Sequence, residues 1–567
     1  MAPRKSLVEG HHYDTLTAEL FGATVPTLYT VLRAQHRHAP SISKYKGKRA
    51  PTHGYPGHTS LDAQRKALLK HFTPLQRASF RDSPNRSVII VGAGLAGLCA
   101  AYELNKLGYT VSVYEARHRV GGRAYSFRFA RNKIVEGGGE LIGRNHPLWC
   151  GYAQNFNLKF SDVLDYGNSP VRFNGHTLTF EESKALADAM DPHIERLNHL
   201  ADSIVDPFEP WTNANSEWLD KTSLADWLAS LKCPTTISKK GRAALEQQLV
   251  ADNGRSAEKQ SILGVLAMIK GHGVDRYWTD TEVYRCIGGN AQLAQRFRDE
   301  LGGEVVHTGI KVTAISEKNG VVSVDLAHTT EQDAEKDLET EPDSRTPKTH
   351  EGKKLKRVQA DEVILAIPPS VWHLINFKDP DLRAKLKQAP RLGVNTKNLF
   401  ALKSRFWQSF SSSPTLTDSN GPADMTWETS EDIKNPKIKK INKQPDFTFV
   451  GFSGASHSQE LVDLASDEAR EAALLKQLRS VYPGIDAQIT NSKFLDWPRK
   501  LFTKGSYYFP APKEVSAWGP FWKTGYLDWL HFAGEHTSYA FMGYMEGALS
   551  SGFRLAHRLA VRDKLLP

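Results

Sequence analysis

The clearest pattern in the chain is an apolar run, followed by a glycine-rich turn and then by apolar residues at helical spacing. Residues 88–91 contain no polar position, which is typical of a strand buried in a parallel sheet. The turn occupies 92–97, and apolar residues then recur at helical spacing up to 107. A second strand is predicted over 110–114 and leads into Glu115. This order of strand, turn, helix and strand predicts a parallel sheet.

The pattern changes farther along the chain. Residues 329–356 are rich in Glu, Asp, Lys, Thr and Pro and lie between strand-like apolar runs. Such a segment buries too little apolar surface to offset the entropy of ordering, so we predict a flexible charged insert whose removal leaves activity intact. A similar polar stretch runs over 431–445, and residues 1–85 are predicted to be an N-terminal extension that packs on the outside. Amphipathic helices are predicted in the middle of the chain, at 183–204, 223–231 and 242–250.

Length and hydropathy narrow the class of protein. With 567 residues the chain exceeds the roughly 250 to 300 residues that one core accommodates, so about two domains are expected. No apolar run reaches the roughly 18 to 20 residues of a membrane helix. The first twenty residues carry acidic and histidine side chains where an export signal needs an apolar core. We therefore expect a cytoplasmic protein without a membrane partner.

The cysteine spacing and the charge narrow the class of protein further. The four cysteines are sparse and show no CxxC spacing, and the 21 histidines show no ligand spacing, so free thiols and no metal site are predicted. The formal charge is +10, but 73 basic and 63 acidic residues are interspersed along the chain. A solvated basic surface is therefore favoured over nucleic-acid binding. We expect a homo-oligomer of undefined size.

The glycine turn has the features of a dinucleotide site. Gly92 permits the tight turn, Gly94 lets backbone amides approach a diphosphate, and Gly97 lets helix and sheet pack closely. The N-terminus of the following helix faces the phosphate charge. Glu115 lies about 20 residues past the glycines, where a carboxylate accepts hydrogen bonds from ribose hydroxyls. An acidic residue at this position argues against a 2′-phosphate and hence against NADP.

The continuation over 115–123 (Glu-Ala-Arg-His-Arg-Val-Gly-Gly-Arg) favours FAD over NAD, because a second glycine pair with arginines brings more cations to a diphosphate. This stretch resembles the signature of the flavin amine oxidase family, which includes monoamine, polyamine and L-amino acid oxidases. The family's C-terminal signature has counterparts at 531–538 (His-Phe-Ala-Gly-Glu-His-Thr-Ser) and 543–552. The resemblance covers about 88–560. It implies an α/β fold, with a Rossmann-like FAD-binding domain interleaved with an α+β substrate-binding domain.

The resemblance also implies roles for individual residues at the cofactor. Glu115, Arg117 and Arg123 would hold the adenosine and diphosphate. Val312 would offer its backbone to the adenine, and Glu535 would bind the ribityl chain. The complete set of expected FAD-binding residues is Gly92, Gly94, Gly97, Glu115, Ala116, Arg117, Gly122, Arg123, Gly139, Glu140, Val312, Gly534, Glu535, Tyr544 and Met545.

Three further residues are expected to be catalytic by the same resemblance. Lys397, ahead of an aromatic Phe-Trp pair, matches the lysine that these oxidases keep beside the flavin and use in the reaction with oxygen. Tyr507 and Tyr544 match two aromatic walls around the substrate amine, a geometry that suits a cation above a ring. Ser506 stands where covalent monoamine oxidases have the cysteine that carries the flavin, so non-covalent FAD is predicted.

The substrate class depends on whether a residue is present that binds a carboxylate. The best-known L-amino acid oxidases have an arginine at about the place of Leu141, so Arg144 is only a nearby candidate for this role. Trp497, Tyr507 and Tyr544 complete the expected substrate-binding set. The stretches 136–146 and 284–290 are more similar to microbial and fungal L-amino acid oxidases than to monoamine oxidases. The predicted function is therefore an L-amino acid oxidase that uses O2 and releases H2O2, with a monoamine or polyamine oxidase as the alternative.

Two other classes stay open. Histone-demethylating proteins have the same flavin core, but they add a chromatin-binding helical domain and a coiled-coil insertion that this sequence does not show. A noncatalytic flavin scaffold is the other, and it leaves Lys397 and both tyrosines without a purpose. The resemblance implies a FAD-binding domain made of 86–150, 282–370 and 524–561, and a substrate-binding domain made of 151–281 and 371–523.

Overall fold

The computed structural model describes residues 86–130, 133–163, 169–337, 355–410, 412–429 and 447–565. The predicted N-terminal extension at 1–85 and the polar stretch at 431–445 lie outside the described residues, as do residues 338–354 of the predicted insert. Most of the two predicted domains is therefore described.

The strands are Ser87–Val91 (β1), Thr110–Glu115 (β2), Ser126–Phe129 (β3), Lys133–Glu136 (β4), Phe160–Asp162 (β5), Val171–Phe173 (β6), His176–Thr177 (β7), Tyr284–Cys286 (β8), Val306–Thr308 (β9), Ile310–Lys318 (β10), Val321–His328 (β11), Val358–Ala360 (β12), Glu362–Leu365 (β13), Asn376–Phe377 (β14), Asn395–Leu402 (β15), Thr417–Asp418 (β16), Met425–Glu428 (β17), Phe447–Gly454 (β18), Ile489–Leu495 (β19) and Leu530–Phe532 (β20).

The α-helices are Leu95–Lys106 (α1), Pro147–Asn155 (α2), Phe180–Asp202 (α3), Ser216–Lys221 (α4), Leu224–Ser230 (α5), Thr236–Asn253 (α6), Ile262–Gly271 (α7), Tyr277–Asp280 (α8), Ala291–Leu301 (α9), Glu331–Lys336 (α10), Pro380–Leu386 (α11), Ala455–Asp463 (α12), Asp467–Arg479 (α13), Glu514–Thr524 (α14) and Met545–Arg562 (α15).

A five-stranded parallel sheet, in the order β20-β13-β1-β2-β9, forms the centre of one half of the molecule. Residues 88–91 of β1 and 363–365 of β13 are apolar and buried, and α1 packs against α15 from the far end of the chain. A Cβ at Gly552 of α15 would lie 2.3 Å from the Ala96 carbonyl oxygen of α1, so the two helices are in backbone contact. The predicted Rossmann-like α/β fold is confirmed.

A second, mixed sheet of seven strands lies in the other half, in the order β19-β15-β18-β17-β16-β6-β7. The long helix α3 of the same half packs against α6 and against α7. The strands of this sheet fall in the segments predicted for substrate binding, and those of the parallel sheet fall in the segments predicted for FAD binding. The division of the chain into two domains at those boundaries stays a prediction.

The predicted charged insert begins with ordered structure. Residues 329–337 contain helix α10, which Thr330 caps by accepting a hydrogen bond from the backbone of Asp333. Thr329 and Asp337, on either side of the helix, are buried. The prediction of a flexible insert is therefore wrong for 329–337, although no residue within α10 itself is buried. Composition could not reveal the reason, which is that the partners of these polar residues come from distant parts of the chain.

Two general properties complete the description. No helix in the described part of the chain is both long and apolar enough to cross a bilayer. The same residues contain no group of three or more histidine, cysteine or acidic side chains that could hold a metal ion. All the cysteines are free thiols, namely Cys99, Cys150, Cys233 and Cys286.

Candidate active site

A cavity of about 510 Å³ runs between the parallel sheet and the seven-stranded sheet. One part of its wall, which we call the glycine region, is formed by the turn after β1, the end of β2 and the start of β10. Another part, the aromatic region, is formed by Tyr277, Trp278, Trp427, Tyr507 and Tyr544. Ligands of open parallel sheets bind beyond the carboxyl ends of the strands, which is where this cavity opens. Both predicted signatures contribute to one wall.

The glycine turn has the geometry that a diphosphate requires. Gly92 has φ +104°, and a Cβ there would lie 2.7 Å from the Ile367 side chain. A Cβ at Gly97 would lie 2.1 Å from the Gly92 oxygen, so Gly97 lies beneath the turn and not in the cavity wall. Gly94, by contrast, faces open space, since a Cβ would meet nothing within 4 Å. Helix α1 begins one residue later, so its N-terminal amides border that space.

Glu115 lies at the end of β2 beside this turn. Its carboxylate accepts hydrogen bonds from the backbone amides of Ala93 at 2.8 Å and Arg117 at 2.9 Å. Burial raises the pKa of Glu115, although the Arg117 guanidinium opposes this shift. Ala116 and Val312 line the same part of the cavity. The structure thus brings together the residues predicted to contact adenosine.

Arg117 pairs with Asp337, a partner that the sequence did not indicate. Its guanidinium donates two hydrogen bonds to the Asp337 carboxylate, at 2.6 and 2.9 Å, and one to the Thr503 hydroxyl at 2.8 Å. Both charged side chains are almost fully buried. Arg117 lines the cavity, so this ion pair forms part of its wall.

Arg123 joins the first signature to the last. It donates hydrogen bonds to the Glu535 carboxylate at 2.7 Å and to the Ser506 carbonyl oxygen at 2.8 Å. The same carboxylate accepts hydrogen bonds from the backbone amides of Gly543, at 2.9 Å, and Tyr508, at 3.2 Å. Segments separated by 412 positions therefore meet at one carboxylate.

The remaining predicted cofactor residues lie around this junction. A Cβ at Gly122 would be 3.3 Å from the Gly94 Cα, and one at Gly139 would be 3.2 Å from the Met545 side chain. Helix α15 begins at Met545, with Tyr544 as its cap residue and no side-chain cap, so the N-terminus of the helix borders the cavity at Met545. Gly122, Gly139, Gly534 and Met545 all line the cavity.

Lys397 extends from β15, an inner strand of the seven-stranded sheet, into the cavity wall. Its ammonium group donates hydrogen bonds to the Glu140 carboxylate at 2.8 Å and to the Gly138 carbonyl oxygen at 2.9 Å. Glu140 also accepts hydrogen bonds from Arg285 at 3.0 Å and from the Trp427 indole at 3.1 Å. Burial alone would raise the pKa of Glu140, but the two cations outweigh it and hold the pKa at about 2. The carboxylate is therefore ionised, and its lysine partner is fixed in place.

Tyr507 and Tyr544, the two predicted aromatic walls, both line the aromatic region. The Tyr507 hydroxyl donates a hydrogen bond to the Asp252 carbonyl oxygen, and its ring lies against Gly543, where a Cβ would be 3.3 Å from Cδ2. Trp497 lines the cavity and donates a hydrogen bond to the Gly137 carbonyl oxygen at 2.8 Å.

Arg144, by contrast, does not line this cavity. Its guanidinium donates a hydrogen bond to the Tyr284 hydroxyl at 2.9 Å and lies 3.8 Å from Asp280. The structure therefore does not bring this candidate for carboxylate binding to the other predicted substrate residues.

Two acidic residues of the aromatic region were not predicted. Asp252 lies near the end of α6, and Glu282 follows α8. Burial raises the pKa of Asp252 well above its ordinary value, and the charge of Glu282 raises it further. Burial, and next the nearby Glu140 carboxylate, raises the pKa of Glu282 to about 7. No salt bridge within the described ranges involves either carboxylate.

A faint sequence signal existed for Asp252 alone. It follows Leu245 and Gln248 at helical spacing on the buried face of α6, and a carboxylate on such a face is unusual. Glu282 has no comparable signal, because it lies in a short connection between α8 and β8.

The observed residues fit FAD. Gly94 leaves a cradle that a side chain would otherwise occupy, the N-termini of α1 and α15 border the cavity, and Glu115 and Glu535 lie where two polar chains of a long cofactor could be held. Glu115 and Glu535 would bind the ribose and ribityl hydroxyls, and Arg123 would lie beside the diphosphate. The separate roles of these residues stay predictions.

Comparison with known proteins identifies the family. The family profile described as flavin containing amine oxidoreductase matches residues 95–560. The flavin-containing amine oxidase B of Mus musculus is 26% identical over 511 residues, which cover 84% of this chain and 86% of the mouse chain. An L-amino acid dehydrogenase of a Synechocystis strain is 24% identical over 488 residues, 82% of this chain and 92% of that protein.

Solved structures agree on the fold. A double mutant of putrescine oxidase superposes with a TM-score of 0.70 at 22% identity, covering 84% of this chain and 99% of the other. Since the family profile spans most of the sequence and both signatures meet in one cavity, this chain belongs to the flavin-containing amine oxidoreductase family, and its cofactor is FAD.

Proposed function

We propose that this protein oxidises the C–N bond of a small amine that carries a second cationic group, with O2 as the final electron acceptor. Bound FAD supplies the hydride acceptor and the electrons that reduce O2 to H2O2. The imine formed from the substrate then reacts with water to give a carbonyl compound and ammonia. The protein contributes binding and orientation of the amine beside the flavin.

The charge distribution in the cavity supports this substrate class. Among the described lining residues, the arginines and lysines are Arg117, Arg123, Lys311 and Lys397, and each forms an ion pair with a carboxylate. Asp252 and Glu282 also line the cavity, but neither forms an ion pair with an arginine or lysine of the described residues. A cationic group on the substrate would favour the ionised form of these acids, whereas a substrate carboxylate would oppose it.

The aromatic walls support the same orientation. Tyr507 and Tyr544 lie close to the two acids, since the charges of Asp252 and Glu282 contribute to raising the pKa of both tyrosines after burial itself. The tyrosines therefore stay neutral, and their ring faces can accept an ammonium or amine group. We infer that the reacting amine passes between these rings while the distal cation binds Asp252 and Glu282.

Lys397 and Ser506 complete the proposal. The Lys397 ammonium is fixed by Glu140 and Gly138 at the cavity wall, where a positive charge would stabilise reduced oxygen species. Ser506 lines the cavity and donates a hydrogen bond to the Asn395 side chain at 2.6 Å. A serine has no thiol to bond to the flavin, so we propose non-covalent FAD. Acid precipitation of the protein is then expected to release yellow FAD into solution, and a yellow pellet would contradict this.

An L-amino acid oxidase remains the second candidate, because the similarity includes a protein named L-amino acid dehydrogenase. A basic L-amino acid would place its side-chain cation at the two acids. Its carboxylate, however, needs a cationic partner that the described lining does not offer, since Arg144 lies outside the cavity wall.

A peroxide-coupled assay with matched substrates tests the proposal. Putrescine and cadaverine are compared with butylamine and pentylamine, and L-lysine and L-arginine with L-leucine. We expect the diamines to exceed the monoamines of equal length in kcat/KM by about 30-fold, or ~2 kcal/mol. A preference for L-lysine over cadaverine would favour the second candidate, and equal rates with L-leucine and L-lysine would rule out a role for the acids.

A further inference from the structure

The first residues of the charged segment, 329–337, are attached to the glycine region at several points. The Thr329 hydroxyl donates a hydrogen bond to the Ala116 carbonyl oxygen, and its backbone amide donates to the Gly309 carbonyl oxygen at 2.9 Å. The Gly309 amide in turn donates to the Arg117 carbonyl oxygen at 2.9 Å. The segment therefore begins in backbone contact with the turn that follows Glu115.

The far end of the same segment holds a second loop of the cavity wall. The Asp337 carboxylate accepts a hydrogen bond from the Phe502 amide at 2.8 Å, and its backbone carbonyl accepts one from Lys500 at 3.0 Å. The Leu501 amide donates to the Lys336 carbonyl oxygen at 3.2 Å. Residues 501–503 line the cavity, so Asp337 fixes a part of its wall.

The same segment forms two ion pairs with cavity-lining cations. Asp333 pairs with Lys311 on β10, next to Val312, and Asp337 pairs with Arg117. Asp337 is fully buried and Arg117 nearly so. A buried pair with two parallel hydrogen bonds fixes the guanidinium plane, and removing one partner leaves an unpaired buried charge.

We propose that residues 329–337 form a clasp over the adenosine half of FAD, in which Asp337 is a positioning residue for Arg117 and for residues 501–503. The hydrogen bonds and ion pairs described above join the clasp to the Glu115 turn, to β10 and to residues 501–503, and none of them involves Lys397, Tyr507 or Tyr544. It therefore acts on cofactor retention and not on the reacting end of the flavin. This inference rests on the FAD cofactor of the family and is independent of the proposed amine class.

The two halves of the cofactor give a direct test. FMN lacks the adenosine half, so the affinity of deflavinated full-length protein is measured for FAD and FMN by flavin fluorescence. We expect Asp337→Asn to weaken FAD binding by about tenfold or more and to leave FMN binding within about twofold. The rate of flavin reduction by substrate at saturating FAD should not change.

Asp325→Asn is the matched control, because Asp325 forms an exposed ion pair with Arg357 outside the cavity. It should leave both affinities unchanged. Thr503→Val removes only the hydroxyl that accepts a hydrogen bond from Arg117. It is the second variant, to be used if Asp337→Asn does not fold. It should also weaken FAD selectively, by about threefold. An equal loss of FAD and FMN binding, or unchanged FAD binding in a folded variant, would overturn the clasp.

Discussion

The glycine and aromatic regions share one cavity, but their charges are arranged in opposite ways. In the glycine region, cation and carboxylate are paired across distant segments, as in Arg117 with Asp337 and Arg123 with Glu535. In the aromatic region, Asp252 and Glu282 have raised pKa values and no pairing cation within the described residues. The charges of the glycine region are neutralised within the protein, which suits a cofactor that stays bound. The ionised acids of the aromatic region are stabilised when a ligand brings positive charge.

The comparison predicts that substitutions in one region leave the function of the other unchanged. Variants of the glycine region should alter cofactor retention but not the rates of the loaded enzyme. Variants of the aromatic region should alter substrate selection or the oxygen reaction but not FAD affinity.

The largest expected effect concerns Lys397. Lys397→Met should slow reoxidation of the reduced flavin by O2 by about 300-fold, because the fixed positive charge that we propose to stabilise reduced oxygen is lost. Flavin reduction by substrate should change by less than about tenfold. Stopped-flow measurement of the two half-reactions separates these rates. Equal slowing of both would show that the lysine has no special role with oxygen.

The next effect concerns Glu115. Glu115→Ala removes a buried carboxylate that is predicted to bind ribose hydroxyls, so FAD affinity should fall by about 100-fold. Occupancy after dialysis, read from the flavin spectrum, measures this. Glu304→Ala, at an exposed position before β9, serves as the control and should retain FAD. Unchanged occupancy in Glu115→Ala would argue against the ribose contact.

A smaller effect is expected at the acids. Glu282→Gln keeps the size of the side chain but removes its charge, and should lower kcat/KM for putrescine by about 30-fold. Butylamine, which lacks the distal cation, should be oxidised at nearly the wild-type rate. If both substrates lose activity to the same extent, Glu282 does not bind the distal cation.

The smallest effect is a dependence on pH. The pKa of Glu282 is raised to about 7, so its charge is present above that pH and is lost as the pH falls through it. The ratio of kcat/KM for putrescine to that for butylamine should therefore rise by about fivefold from pH 6 to pH 8. Both substrates must lose a proton from the reacting amine, so the effect of that deprotonation on kcat/KM cancels in the ratio. In Glu282→Gln the ratio should be flat.

The predicted insert shows how local composition can mislead. Its first residues have the composition of a solvated segment, and removal of 329–356 was expected to be harmless. The structure places Asp337 in a buried pair with Arg117, 220 positions away. Since that partner is a single residue in a distant signature, no window of the sequence around 329–337 could contain the signal. Removal of the whole segment is now expected to weaken FAD binding.

Features that depend on neighbouring residues can be predicted before the fold is known. An apolar strand, the Gly92 to Gly97 turn, Glu115 and the arginines up to Arg123 lie within one short stretch, so backbone geometry and cofactor chemistry could be inferred from spacing alone. The C-terminal signature, with Glu535 and Tyr544, was identified through its resemblance to the flavin amine oxidase family.

Which charges are neutralised depends on contacts between distant segments, and these contacts are seen in the folded chain. Asp252, Glu282 and Arg144 come from separate helices and connections, and their spacing in the chain does not indicate whether they share a cavity. Electrostatic interactions act through a few ångströms of space, and the fold brings together groups that are hundreds of residues apart. For this reason the cofactor could be read from the chain, whereas the charge that selects a substrate became visible only in the folded protein.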